Sequence, residues 1–310
     1  MARTRPAEIE PLDPEFEEGY STDLGTMYVG KIEQLLGSDI GVALEGSVDL
    51  IFTSPPFPLN LKKSYGNKMG DEYLDWLTSL ALPLKRLLKP TGSLVIEIGN
   101  AWEPGRPVMS TLPMRSLLDF LEAGEFNLCQ QFVCHNPARL PTPVQWVNVR
   151  RIRVKDSFTN VWWMAPSDFP KANNAKVLQP YKDAMLRLLE TGKYNSGRRP
   201  SGHKIGEKSF LKDNGGSIPP NVIEIANTGG NEEYRKYCRQ NGLEAHPALM
   251  QPGLAEFFIK MMTDEGDLVL DPFGGSNTTG AVAEQLGRRW IATEPSLDFV
   301  EGSMGRFPNL

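Results

Sequence analysis

The chain has 310 residues, 40% hydrophobic and 23% charged, with a formal net charge of −5. That is enough apolar material for one large domain carrying an insertion. Its three cysteines, Cys129, Cys134 and Cys238, have neither metal-ligand spacing nor a paired framework, and no apolar run is long enough to span a bilayer. A disulfide scaffold, a cysteine-held metal and a membrane anchor are therefore not expected. The thiols read as buried groups in a reducing cytoplasm, and no apolar signal segment is seen at the N-terminus.

Charge is unevenly spread. From Glu8 to Asp23 there are acids and no lysine or arginine, whereas later stretches are basic. A local basic patch matters more to a polyanion than the global sum. Residues 1–20, rich in Pro and Glu and without periodicity, are expected to be a flexible acidic arm. Tyr28-Val29 with Gly30 predicts a short strand and turn, Ile32–Leu36 a short helix, and Val48–Phe52 a buried strand.

That strand runs through Thr53 into Ser54-Pro55-Pro56-Phe57. A proline disfavours helix at the residue before it and has no N–H to donate, so the prolines present a rigid row of carbonyl acceptors. A hydroxyl, fixed carbonyls and an aromatic face suit a planar ring that carries an amino group. The same residues also read as a proline-rich turn with Phe57 in the core.

Pro58–Asp71 is polar and glycine-bearing, with Lys62, Lys63, Tyr65 and Lys68, and reads as a loop beside the site or an ordinary solvated loop. Helical spacing of apolar residues predicts one helix over Glu72–Leu88, closed by Pro90 and Gly92 and followed by a buried strand at Leu94-Val95-Ile96. Alternating helix and strand predicts an α/β fold with an open, mostly parallel sheet. Glu97 ends its strand at the same sheet edge as the proline motif, where ligands bind in such folds, so it is an active-site candidate or a solvated strand end. A helix at Leu117–Ala123 and a strand around Phe132-Val133 follow.

Next come Asn136-Pro137-Ala138-Arg139, Trp146, then Arg150, Arg151, Arg153 and Lys155, with Trp162-Trp163 close behind. Interleaved cations and aromatics suit phosphate contact and base stacking. A salt-bridged surface strand with the tryptophans in the core fits the same residues. After a helix at Gln179–Leu189, residues 190–245 are poor in apolar residues and carry Lys193, Arg198, Arg199, His203, Lys204, Lys208 and Lys212. They read as an insertion lying over a groove and touching a polyanion, or as plain disorder.

A helix at Gly253–Met262 and a strand at Asp267–Leu270 lead into Asp271-Pro272-Phe273-Gly274-Gly275-Ser276-Asn277-Thr278-Thr279-Gly280, with a helix running on to Gln285. Glycines at such a turn let a nucleotide-like cofactor approach the backbone, and Thr278 and Thr279 are candidate helix caps. Neither GxGxxG nor GxxxxGK[ST] is present. The strand Arg289–Thr293 ends in Glu294, placed to accept hydrogen bonds from ribose hydroxyls. Acidic Asp271 suits a cationic cofactor better than a pyrophosphate. The combination points to S-adenosylmethionine.

The Ser54–Phe57 tetrad, the Asp271–Gly280 loop and His246-Pro247-Ala248 before it resemble the amino-methylating DNA methyltransferases, in the group whose catalytic motif precedes the cofactor motif. Asn136–Arg139, Trp146–Arg150, Ile152–Asp156, Asn160–Trp163, Arg199–His203 and Lys212–Pro220 carry the resemblance along nearly the whole chain, from Tyr28 to Phe307. Serine in first place is the form usual for cytosine-N4 enzymes. Lys31 stands where Asp is usual, and Asn277 where the wider family has a second loop glycine.

The resemblance implies a Rossmann-like S-adenosylmethionine-dependent sheet, permuted in chain order, with the cofactor held by Tyr28, Asp271, Phe273, Gly274, Gly275, Ser276, Asn277, Thr278 and Glu294. The catalytic half is 21–189, a target-recognition insertion 190–245 and the cofactor half 246–310. It implies site-specific methyl transfer to N4 of a cytosine flipped out of duplex DNA, with Ser54, Pro55, Pro56, Phe57 and Glu97 as the catalytic set. Arg139, Arg150, Arg151, Arg153, Lys155, Arg199, His203, Lys204 and Lys212 are then the DNA contacts, and no metal is required. A monomer in a bacterial or archaeal cytoplasm is expected, with a cognate restriction endonuclease as genetic rather than physical partner. Adenine-N6 methylation on the same architecture, and a DNA-binding module without catalysis, are the alternatives.

Overall fold

The computed structural model describes residues 15–58, 68–193, 197–198, 200–202, 204–206, 211–225, 231–308 and 310. The first elements of the described residues form an antiparallel hairpin, β1 (Glu17–Ser21) and β2 (Gly25–Val29), closed by a Thr22 N–H to Gly25 O bond of 2.8 Å. Of the flexible arm expected over 1–20, residues 17–20 instead lie in β1. The reason is Tyr20, which is buried against Trp290 and Phe307.

Two short helices, α1 (Ile32–Leu36) and α2 (Asp39–Leu44), lead into β3 (Val48–Thr53), whose every residue is buried. The single helix expected over Glu72–Leu88 is two, α3 (Gly70–Ser79) and α4 (Ala81–Leu87). Pro83 has no N–H to return to the Ser79 carbonyl, so the ladder breaks one turn before it. Pro90 and Gly92 do not close a helix but lie inside β4 (Leu88–Gly99), where a register shift between Val48 and Leu50 takes them up. Then come α5 (Leu112–Gly124), β5 (Asn127–His135), β6 (Phe158–Ala165) and α6 (Asp183–Thr191). A small hairpin, β7 (Gly197–Arg198) with β8 (Lys204–Ile205), precedes β9 (Val222–Glu224) and α7 (Glu232–Asn241). The C-terminal part is α8 (Pro252–Met262), β10 (Leu268–Asp271), α9 (Thr278–Gln285), β11 (Arg289–Glu294) and α10 (Leu297–Ser303).

The main sheet has the order β1-β2-β11-β10-β3-β4-β6-β5-β9. Strands β2, β11, β10, β3 and β4 run parallel, and antiparallel pairs flank them. The expected mostly parallel α/β sheet is present. Its permutation has one consequence that matters here: β3 and β10, far apart in sequence, are hydrogen-bonded neighbours. Their C-terminal ends share one sheet edge, the place where open α/β sheets bind ligands.

Each face of the sheet carries its own core. On one, Phe52, Phe132, Phe258 and Trp290 pack with α8; on the other, Ile51 and Leu94 meet Tyr73, Leu77 and Phe120 of α3 and α5. Trp162 is buried in this second core and Trp163 donates to Ser93 Oγ at 2.9 Å, so these tryptophans are structural rather than base-stacking. The insertion drawn over 190–245 is also too wide. β9 pairs with β5 inside the main sheet, and α7 packs on α10 through buried Tyr234 and Cys238. No helix of the described residues is long and apolar enough to cross a membrane.

Gly25 pairs with Trp290 at the β2–β11 seam, and a Cβ there would lie 2.3 Å from the indole ring and 2.4 Å from the Trp290 carbonyl. Gly25→Ala is expected to destabilise the fold by about 1–3 kcal/mol. The check is a denaturant midpoint that falls with an unchanged slope.

Candidate active site

Segments from along the whole described chain converge on one cavity of about 560 Å³ at that edge. The end of β3 brings Ser54, Pro55, Pro56 and Phe57, and the end of β4 brings Glu97. The loop after β10 supplies Asp271, Phe273, Gly274, Gly275, Ser276 and Thr278, and β11 ends in Glu294. Lys31, Ile32 and Glu33 at the start of α1 and the His246–Gln251 segment also line it, as do Trp76, Cys134, Asn136, Arg139 and Thr159. The volume lies within the range typical of small-molecule sites.

The two halves are joined by Asp271. Its Oδ1 accepts from Thr53 Oγ1 at 2.7 Å and from the Phe273 N–H at 3.1 Å, and its Oδ2 accepts from Thr279 Oγ1 at 2.6 Å. Burial raises its pKa, and these three donors compensate the buried carboxylate.

The glycine loop is shaped for close approach. Gly275 has φ of +52°, and a Cβ on it would come within 3.2 Å of His246 Nε2. The Gly275 N–H donates to Glu294 Oε2 and the Ser296 N–H to Glu294 Oε1, both at 3.0 Å. Burial pushes the Glu294 carboxyl up to about 7. A carboxylate has about four lone-pair positions, so acceptor capacity is left for ligand hydroxyls. At the neighbouring end, Phe273 meets Trp76 edge-on at 5.6 Å, and Trp76 Nε1 donates to Glu33 Oε1 at 2.8 Å. An aromatic face, a glycine cradle and paired carboxylates fit a nucleoside that carries a cationic arm. They fit S-adenosylmethionine.

At the other end, Glu97 accepts from Thr159 Oγ1 at 2.7 Å and from the Ser54 side chain. Burial raises its pKa, against the opposing effect of these donors and of nearby Arg139. The Phe57 ring lies on Gly99, where a Cβ would be 2.5 Å away, so only glycine leaves it room. Burial, with Glu97 next to it, pushes the Cys134 thiol up to about 12, so it is no nucleophile.

The DNA methylase family model matches residues 48–304, which span both halves of this cavity. The chain belongs to the DNA methylase family. Over 290 residues, 93% of this chain and 85% of the relative, it is 46% identical to type II methyltransferase M.PvuII of Proteus hauseri. The solved PvuII DNA methyltransferase, described as cytosine-N4-specific, superposes with a TM-score of 0.75 at 38% identity, covering 95% of this chain and 90% of that one. A complex of M1.HpyAVI with S-adenosylmethionine shares the fold, with a TM-score of 0.54 at 20% identity over 92% of this chain and all of that one, 100%.

Not every expected site residue of the methylase faces the cavity. Tyr28 stacks on Phe16 at 5.2 Å and is absent from the wall. Asn277 is turned inward: it caps α9 by accepting the Gly280 N–H at 3.1 Å, the role expected of Thr278 or Thr279, and its Nδ2 donates to Tyr20 Oη at 2.9 Å. Neither side chain lies on the cavity wall, and Asn277 supports the loop from behind.

Sequence reasoning missed the rest of that support. Tyr20 Oη lies 2.6 Å from Ser303 Oγ, and burial pushes it up to about 12. Arg306 donates to Ser276 O at 2.5 Å, Ser276 Oγ at 2.9 Å and Asn231 Oδ1 at 2.6 Å, and lies over the Tyr234 ring. Burial pulls its pKa down to about 10. Thr159, which holds Glu97, and Trp76, which orients Glu33, were also missed.

The candidate DNA contacts divide. Arg150, Arg151 and Arg153 are exposed beyond a π-helical turn at Gln145–Val149. Lys204 is exposed on the β7–β8 hairpin, and Lys212 is exposed as well. Lys155 instead donates to Pro137 O at 2.8 Å and Arg139 O at 3.3 Å, bracing a turn. Arg139 is half-buried in the cavity wall rather than out on the surface. Arg199, His203, Lys208, Lys62, Lys63 and Tyr65 lie outside the described residues.

Ionised Glu294 has more acceptor capacity than the protonated form, and ribose hydroxyls are its expected ligands. S-adenosylmethionine affinity is therefore expected to fall as pH drops through about 7. Glu294→Gln should weaken binding about 10-fold, or ~1.4 kcal/mol, and flatten that pH dependence. Calorimetric titration across pH checks both.

Proposed function

We propose that this methylase transfers a methyl group from S-adenosylmethionine to the exocyclic N4 of a cytosine, at specific sites in duplex DNA. The observation that carries the reading is the placement of Ser54–Phe57 and Glu97 in one cavity with the glycine loop and Glu294.

N4 lies inside the duplex, so the base is extruded at a cost of a few kcal/mol. Phe57 replaces the lost stacking. The Pro55 carbonyl and the Ser54 oxygen accept the two amine hydrogens, and the Ser54 hydroxyl itself points at Glu97. The amine lone pair is delocalised into the ring, and holding both hydrogens favours the pyramidal form that can attack. When bound, S-adenosylmethionine supplies a methyl group on a sulfonium centre that departs as a neutral thioether. The chain contributes alignment of the reacting atoms and exclusion of water. As N4 takes the methyl it gives up one proton, which Ser54 passes to Glu97. A glutamate whose pKa is raised is a better proton acceptor than a solvated one.

Arg150, Arg151 and Arg153 meet DNA phosphates, and the part of the insertion outside the sheet, with Arg199, His203, Lys204 and Lys212, reaches bases or backbone. The enzyme acts as a monomer in a bacterial or archaeal cytoplasm. Its cognate restriction endonuclease is a genetic rather than a physical partner.

Methyl transfer to mixed-sequence duplex DNA, followed by nucleoside mass spectrometry, tests the reaction: N4-methylcytosine is expected, and N6-methyladenine would contradict it. Glu97 titrates above the usual glutamate range, and its protonated form cannot accept the proton. Activity is thus expected to fall as pH drops through that raised value. Glu97→Gln should lower kcat about 10²- to 10⁴-fold and remove this acidic limb.

A further inference from the structure

The turn Asn136–Arg139 is built to hold one guanidinium in the cavity wall. The Asn136 N–H donates to Ser157 O at 2.8 Å, and Asn136 Oδ1 accepts the Ala138 N–H at 3.0 Å. The Arg139 N–H returns to Asn136 O at 3.2 Å, and Lys155 ties down the Pro137 and Arg139 carbonyls. From this braced backbone Arg139 Nη1 donates to Phe158 O at 3.2 Å. Phe158 adjoins Thr159, whose hydroxyl holds Glu97.

Arg139 thus lines the cavity within coulombic reach of Glu97, which in turn is hydrogen-bonded to Ser54. Among the described residues no carboxylate lies within ion-pair distance of the guanidinium, and its other N–H groups have no protein acceptor. A half-buried guanidinium whose remaining donors line a ligand cavity calls for an acceptor on the ligand. An outward-pointing phosphate contact needs neither the braced turn nor the burial.

Ser54, Glu97 and Arg139 line the same cavity, and Arg139 reaches Phe158 O, next to the Thr159 that holds Glu97. Beside the amine, the Watson–Crick edge of cytosine carries two acceptors, ring N3 and the C2 carbonyl, and an ionised Glu97 can donate to neither. We propose that Arg139 donates to the C2 carbonyl of the flipped cytosine and so helps select that base. This inference rests on cytosine being the substrate. Adenine, set with its amine at Ser54, presents a C–H at the corresponding position and leaves the guanidinium unpaired. Sites built to hydrogen-bond a substrate group discriminate strongly against analogues that lack it.

The test is a cycle between Arg139→Ala and a duplex whose target cytosine is replaced by an analogue without the C2 carbonyl. Cofactor affinity and melting temperature report folding, and Arg139→Lys keeps the charge with a single-centre donor. The expected result is a loss of about 10- to 100-fold in kcat/KM for Arg139→Ala on cytosine DNA. A similar loss is expected for the wild type on the analogue, little further loss when the two changes are combined, and partial recovery in Arg139→Lys. Binding to a duplex with an abasic target should stay within about twofold of wild type, with its salt dependence unchanged.

Weaker abasic-duplex binding, with a salt slope reduced by about one, would make Arg139 a phosphate contact and overturn the proposal. Losses that simply multiply in the combined case would overturn it too, since they would show no contact with the carbonyl. Failure of the cytosine reading is seen separately, as N6-methyladenine formed by the wild type. That result would remove the base on which the inference stands.

Discussion

One buried carboxylate joins the two halves of this methylase. Asp271 accepts hydroxyl hydrogens from Thr53, at the end of β3, and from Thr279, in the helix after the glycine loop. The residues it bridges are 218 and 8 positions away in sequence. A charge taken out of water at this cost persists only when its donors are in place, and here three are. The position of Ser54 relative to Gly274 and Gly275 depends on that junction.

Around it, the cavity is organised by buried polar groups rather than by surface charge. Burial raises the pKa of Glu97, Asp271 and Glu294 alike, yet each carboxyl is met by protein donors. Tyr20, Asn277 and Arg306 lock the outer side of the glycine loop to the C-terminal segment. The loop is therefore preformed, and its geometry does not have to be assembled by the ligand. Preorganisation of this kind reduces the ordering cost of binding and fixes the line of attack.

What could be read in the sequence follows from how local each signal is. The apolar runs of β3, β10 and β11 end in Ser54, Asp271 and Glu294, so strand ends and site residues were legible together. The break between α3 and α4 was also written in the chain, in Pro83, but the apolar periodicity across it outweighed one proline. β9 is a three-residue strand whose burial comes from its partner β5, and nothing in its own composition marks it. Tyr28 and Asn277 sit within motif-bearing stretches, and only the fold tells which way their side chains turn. Tyr20, Thr159 and Arg306 act through partners 257, 62 and 30 residues away, respectively, so no spacing rule reaches them.

The most direct test of the junction is Thr53→Val, which removes one hydroxyl that touches Asp271 and lies buried behind the cavity. Turnover number, cofactor affinity and melting temperature are measured on the same protein. If Asp271 sets β3 against the cofactor loop, kcat falls about 10-fold or more, since small misplacements of reacting groups are costly, while cofactor affinity stays within about threefold. A wild-type kcat accompanied only by a lower melting temperature would contradict the account, and would leave the bond as a contribution to stability alone.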